Sequence, residues 1–218
     1  MANRRSGFDL GRFVSRVSTG LAQGLEIDCQ RCSLALTRSH VVIGRGSTDA
    51  KVMFLGEAPG RQEDQSGLGF QGAAGQRFDE ILQFVGLDRD DIWLANAVRC
   101  RPTVNGRRNR KPNPDEIHTC RHWLLEDIRR VRPELIVTLG RVAFESVTGF
   151  AWQKGQRAQS LFVEEFNLTV YPLYHPAYLI YRRHLASTYV RDLVGLRVVL
   201  GQREVPLREP TGPWADMQ

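Results

Sequence analysis

Four short apolar runs alternate along the chain with stretches whose apolar positions recur at helical spacing. Lys51 to Gly56 (KVMFLG), Asp91 to Val98 (DIWLANAV), Glu134 to Gly140 (ELIVTLG) and Leu168 to Tyr174 (LTVYPLY) carry apolar residues at successive positions, which predicts strands buried on both faces. Between the first two lies GQRFDEILQFV at 75–85, where Phe78, Ile81, Leu82 and Val85 share one helical face. A second helix is expected from Pro114 to Val131, with Asn113 as its cap, Pro114 in the first turn, and Asp115 and Glu116 at the positive end of the dipole. Strand and helix in alternation predict an α/β fold, a three-layer α/β/α sandwich around a central, mostly parallel four-stranded sheet.

In such a sheet ligands bind beyond the carboxyl ends of the strands. The residues there are Gly56 to Gly60 after the first strand, Asn96 at the end of the second, Gly140-Arg141 after the third, and His175-Pro176 after the fourth. Residues 26–200 read as one domain. Residues 1–25 are rich in Arg, Gly and Ser and form an N-terminal extension with at most a loosely held helix. Residues 201–218, with three prolines and no clear period, are expected to be a frayed C-terminal tail.

Composition narrows the function. The formal charge is +6, and Lys51, Lys111 and Lys154 are the only lysines among 30 basic residues. An arginine excess suits bidentate phosphate recognition, and a codon bias would also produce it. No run approaches the roughly 20 apolar residues of a membrane helix, and residues 1–16 lack the apolar core of a signal peptide. The expectation is a cytoplasmic monomer. Four cysteines in such a protein argue against a disulfide framework and for a metal site, redox chemistry or core packing.

Those cysteines are Cys29, Cys32, Cys100 and Cys120. A close pair with two distant partners can wrap one four-thiolate site, and spacing does not choose between zinc and a 4Fe-4S cluster. Gly56 to Gly75 (GEAPGRQEDQSGLGFQGAAG) holds six glycines together with Glu57, Glu63 and Asp64. Such a loop brings backbone close to a ligand and sets carboxylates over it. Phe70 is its only aromatic residue and a candidate stacking platform for a planar base, against the commoner role of a core phenylalanine. Asn96, inside an apolar run, presents a donor beside an acceptor, complementary to a pyrimidine edge, unless it only satisfies backbone. Arg99 to Lys111 holds six basic residues and no acid, and Tyr181 to His184 adds a second basic cluster. Both runs adjoin the predicted ligand edge, which favours contacts to phosphate over a merely solvated loop.

Taken together, GEAPGRQEDQSGLGFQGAAG at 56–75, NAVRCRP at 96–102, PDEIHTC at 114–120, LIVTLG at 135–140 and HPAYL at 175–179 resemble the bacterial and archaeal uracil-DNA glycosylases of family 4, which carry an iron–sulfur cluster. The resemblance spans about residues 26 to 200. It implies a 4Fe-4S cluster on Cys29, Cys32, Cys100 and Cys120, and uracil-containing DNA as substrate, with the protein associated with the nucleoid. It also implies that Phe70 stacks on a flipped uracil in a pocket including Ala58, that Asn96 reads the uracil edge, and that Glu57, Glu63 or Asp64 acts with His175 at the scissile bond. Arg107, Arg108, Arg110, Arg182 and Arg183 would hold phosphates, and Tyr178 and Leu179 would fill the vacated base step.

Gly69 and Ala177 depart from the family's usual Pro and Ser. A neighbouring branch captures the uracil site covalently through a histidine, and Arg110 occupies that position here, so hydrolysis is the expected outcome. A glycosylase for other deaminated bases, a covalent binder and a non-catalytic DNA-binding module are the alternatives.

Overall fold

The computed structural model describes residues 27–153 and 155–217; the N-terminal extension lies outside them. The four strands expected from the apolar runs form as β2 (Val52–Gly56), β3 (Trp93–Asn96), β6 (Leu135–Leu139) and β8 (Leu168–Leu173). They lie side by side in the order β3-β2-β6-β8, all parallel. The sheet has six strands rather than four, because β1 (Arg45–Gly46) and β7 (Leu161–Val163) pair antiparallel at its two edges. Edge strands of two and three residues, buried on one face at most, leave no apolar run to read.

Alternation of side chains sorts the core into two layers. Val52 and Phe54 pack with Phe78, Ile81 and Leu82 of α2 (Gly72–Val85) and with Leu193 and Leu196 of α6 (Ala186–Gly201). Met53 and Leu55 face the other way, onto Leu124 and Ile128 of α3 (Pro114–Val131) and Phe144 and Val147 of α4 (Arg141–Thr148). Helices therefore cover both faces, as the sandwich requires. Asn113 caps α3 as expected: its Oδ1 accepts from Glu116 N at 2.8 Å, and Glu116 Oε2 accepts from Asn113 N at 2.9 Å.

Three segments differ from their expected form. The polar stretch after β2 contains a short helix, α1 (Arg61–Ser66), closed by Gly67 at φ 73°. The basic run folds into a hairpin of β4 (Thr103–Val104) and β5 (Arg108–Asn109), turned by Asn105 and Gly106, both at positive φ. The C-terminal segment is tied down instead of frayed. Arg208 N donates to Gly86 O at 2.9 Å, Thr211 N donates to Gln83 O at 3.1 Å, and Trp214 is buried edge-on against Tyr189. One aromatic anchor sets no period, so the hydrophobic pattern misses it.

Candidate active site

At the carboxyl ends of β2, β3 and β8 opens a cavity of about 560 Å³. Glu57, Ala58, Glu63, Phe70, Asn96, Arg110, His175 and Tyr178 all line it. Gly56 sits between two of its walls. A side-chain carbon there would collide with Asn96 Oδ1 and lie 3.1 Å from Phe70 Cζ, so the absent side chain is what lets amide and ring share the cavity. Asn96 is 8% exposed, and its side-chain amide makes no hydrogen bond among the described residues.

Phe70 adopts φ 57°, which a residue with a side chain rarely does, and three contacts hold it there. Arg89 Nη2 donates to its carbonyl oxygen at 2.8 Å, and Glu63 Oε1 accepts from the next amide, Gln71 N, at 2.9 Å. The ring lies 4.8 Å from that of Phe78 in the core. Gly75 completes the fit, since any side chain there would strike the Phe70 carbonyl.

Glu57, Glu63 and Asp64 part company. The Glu57 carboxylate has no hydrogen-bond partner among the described residues, and burial raises its pKa, offset in part by Lys111. Glu63 is engaged in holding the Phe70 loop. Asp64, 3% exposed, is turned away from the cavity: its Oδ1 accepts from Ser39 N at 2.8 Å, and its backbone carbonyl pairs with His40 Nδ1 at 2.7 Å. Adjacent residues on a helix point about 100° apart, so Glu63 and Asp64 of α1 cannot both face the ligand.

His175 follows β8. Ala177 N donates to its Nδ1 at 3.2 Å, which puts the proton of the neutral ring on Nε2. Burial lowers its pKa to about 4, so the imidazole is neutral at physiological pH and Nε2–H remains a donor. The site thus combines an amide without a partner among the described residues, an aromatic ring, a carboxylate and a neutral N–H donor. This set can recognise a planar heterocycle and stabilise charge separating across a bond to it.

The rim is basic. Arg107 and Arg108 are exposed on the hairpin. Arg110, by contrast, is occupied: Nη1 and Nη2 grip the two oxygens of Glu116 at 2.8 and 2.6 Å, and Nε donates to Thr103 O at 3.1 Å. It therefore braces the hairpin against the α3 cap and is a poor phosphate ligand. On α5 (Ala177–Tyr181), Tyr178 is 36% exposed, with the Arg182 guanidinium 4.7 Å over its ring. Leu179 is buried in the α2 core and cannot reach a base step. The backbone of Arg183 continues in a single turn, Arg183–Leu185.

Beside Ala58, Cys29, Cys32, Cys100 and Cys120 line a second, smaller cavity, and all four are free thiols. No three His, Cys, Asp or Glu side chains among the described residues gather as around a single metal ion. The donor set is four sulfurs, with Arg99 N donating to Cys120 Sγ at 3.2 Å and Arg38 Nη1 lying 3.8 Å from Cys100 Sγ. Burial pushes the Cys100 thiol up to about 12 and the Cys120 thiol to about 11, so neither is a reactive thiolate in the absence of metal. Arg99 Nε and Nη1, on a residue lining the cavity, are buried donors without partners among the described residues. Unmet donors around four sulfurs fit a sulfur-rich anionic group.

A family model of the uracil DNA glycosylase superfamily matches residues 43–194. Type-4 uracil-DNA glycosylases align along most of the chain. The one from Archaeoglobus fulgidus is 34% identical over 191 residues, 83% of this chain and 92% of the relative. That from Thermotoga maritima is 35% identical over 168 residues, 71% and 79% of the two chains, and that from Saccharolobus solfataricus is 32% identical over 191 residues, 82% and 85%. The chain belongs to the type-4 uracil-DNA glycosylase family.

For this type-4 family member, the sequence reading overlooked residues that act through others. Arg89, which clamps Phe70, lies outside every motif and is paired with Asp79 only by the tertiary fold, so no local signal marks it. Arg38 at the cysteine cavity went unremarked, and Arg99, grouped with the basic run expected to meet phosphate, is instead buried beside Cys120 and paired with Asp127. The hairpin did carry a signal, Asn105-Gly106, the dipeptide favoured in tight hairpin turns. No helix among the described residues is long and apolar enough to cross a membrane.

Proposed function

We propose that this protein hydrolyses the N-glycosidic bond of deoxyuridine in DNA, releasing uracil and leaving an abasic site. The observation that carries this reading is Asn96. Its side-chain amide lines the cavity with no hydrogen-bond partner among the described residues, so both its donor and its acceptor are free to meet a pyrimidine edge. The Asn96 amide offers a donor to the uracil O4 and an acceptor to its N3–H, and cytosine presents the reverse pattern. Phe70 stacks on the extruded base.

The base leaves the helix stack at a cost of a few kcal/mol, lowest where it is mispaired. Tyr178 fills the gap, and Arg107, Arg108 and Arg182 lie against phosphates. As the bond breaks, its electron pair moves onto uracil and the sugar becomes cationic. His175 Nε2–H stabilises the uracil oxygen, and Glu57 stabilises the sugar and orients the water that adds its hydroxyl to the anomeric carbon. The proton released by that water passes to Glu57 and then to solvent, and uracil takes up a proton. With Arg110 where the covalent branch has histidine, and with its guanidinium engaged by Glu116, no nucleophile competes with water.

Cys29, Cys32, Cys100 and Cys120 would hold a 4Fe-4S cluster. A cluster with four thiolate ligands has no open position for a reactant, so its contribution is structural or redox. It would tie the segment around Cys29 to α3 and to the strand extension carrying Asn96. That extension is fixed to the cavity by Ala97 N to Gly56 O at 2.9 Å and Val98 N to Glu57 O at 3.1 Å.

The deciding assay is release of free uracil from U·G, U·A and single-stranded oligonucleotides, followed by strand scission with alkali. Excision on any of the three supports the reading. Iron-loaded protein that releases no uracil from any of them refutes it, and a covalent protein–DNA adduct would favour the trapping chemistry instead.

A further inference from the structure

Two arginines line the four-cysteine cavity, and nothing in base recognition or bond cleavage employs them. Arg38 Nη1 donates to Cys29 O at 2.7 Å and lies 3.8 Å from Cys100 Sγ, so one guanidinium spans the N-terminal and the central cysteine segments. The Arg99 side chain is 2% exposed. Its Nη2 is held by Asp127 Oδ2 at 2.6 Å and Trp123 O at 3.3 Å. Its Nε and Nη1 remain buried and without partners on a residue that lines the cavity. A buried guanidinium with two unmet donors is costly unless something accepts from them.

We propose that Arg38 and Arg99 are positioning residues for the cluster, supplying N–H donors and positive charge to its sulfurs. The inference rests on the cluster reading given above. An iron–sulfur cluster with four thiolates is a net anion in a closed pocket, where charge and hydrogen bonds to sulfur govern both retention and reduction potential. Asp127 grips one edge of the Arg99 guanidinium and leaves Nε and Nη1 unpaired among the described residues. Arg38, which has no carboxylate partner among the described residues, carries the larger electrostatic share.

The experiment uses anaerobically purified full-length holoprotein. It measures iron and sulfide content, midpoint potential by spectroelectrochemical titration, and the rate at which a chelator bleaches the visible absorbance. Arg38→Gln removes the charge, and Arg38→Lys keeps the charge but loses the fork to the Cys29 carbonyl. Arg99→Met combined with Asp127→Leu removes the buried pair together, so that no charge is stranded. Arg38→Gln and the double variant are expected to have more negative potentials and roughly tenfold faster cluster loss, with unchanged circular dichroism and Arg38→Lys intermediate. Should the double variant fail to fold, Arg38→Gln decides alone. Iron-loaded wild type with unmoved potential and bleaching in the variants overturns this inference and leaves the cluster reading intact. Wild type without iron or sulfide overturns both.

Discussion

Arg89 Nη2 donates to the carbonyl oxygen of Phe70 at 2.8 Å, while its Nε is held by Asp79 Oδ1 at 2.6 Å. The aromatic platform of the cavity is thus fixed from outside the cavity, by a side chain that touches no substrate. The backbone of Phe70 is in a left-handed conformation that costs on the order of 1 kcal/mol or more unless its surroundings enforce it. Replacing Arg89 by Ala should lower kcat/KM for uracil excision about tenfold, with a smaller loss for Lys, because the ring is less well placed. Phe70→Ala should cost about 1–3 kcal/mol of stacking. Single-turnover kinetics on Arg89→Ala and Phe70→Ala, with melting temperatures alongside, test the relationship. Equal kinetics for wild type and Arg89→Ala would remove Arg89 from the site's support.

Gly56 makes room for both Asn96 and Phe70. Gly56→Ala places a carbon against Asn96 Oδ1 and 3.1 Å from Phe70 Cζ. Because Gly56 is in extended backbone at the end of β2, the fold should survive with an overpacking cost of about 1–3 kcal/mol. Excision should fall on the order of a hundredfold as the amide and ring are displaced. Thermal melting and steady-state kinetics separate the two effects, and a variant with near-normal kcat/KM would show that the cavity is wider than the contacts suggest.

Asn96→Asp reverses part of the hydrogen-bond pattern offered to the base. Uracil excision should drop by about a hundredfold or more, and relative activity on cytosine should rise. A panel of uracil and cytosine substrates measures the ratio. Unchanged selectivity would place base discrimination elsewhere, in the backbone around Phe70.

The pH profile should identify Glu57 and leave His175 silent. Burial raises the Glu57 pKa, so the ionised form needed beside a cationic sugar is lost as pH falls through a value above the ordinary carboxylate range. His175 has its pKa lowered to about 4, so its Nε2–H is present throughout, and kcat/KM should show no inflection near the ordinary histidine value. An acid limb that persists in Glu57→Gln would contradict the assignment. The stability consequences have definite signs. A carboxylate with a raised folded-state pKa destabilises the fold once it is ionised, so Glu57→Gln should melt higher at neutral pH while losing activity. A histidine with a depressed folded-state pKa costs stability as pH falls from about 6.5 towards 4, because the unfolded chain takes up the proton first, and His175→Asn should flatten that decline.

Much of the scaffold was already written in the local pattern. Consecutive apolar residues marked β2, β3, β6 and β8, and Asn113, Pro114 and Glu116 marked the start of α3, because burial on two faces and capping are satisfied by neighbours in sequence. Chain order then put Gly56, Asn96 and His175 at one edge of the sheet, since a parallel sheet collects its strand ends there. The cysteines could be counted, but not seen to share a cavity. Only the tertiary structure separated Glu57, Glu63 and Asp64: Glu57 lines the cavity without a carboxylate partner among the described residues, Glu63 is spent on Gln71 N, and Asp64, about 100° further round the helix, is turned onto Ser39. Tertiary packing likewise committed Arg110 to Glu116, sank Leu179 into the core, brought Arg89 to Phe70 and fastened the tail through Trp214. Each of these depends on which distant segment a side chain meets, and periodicity reports that a side chain is buried without reporting against what.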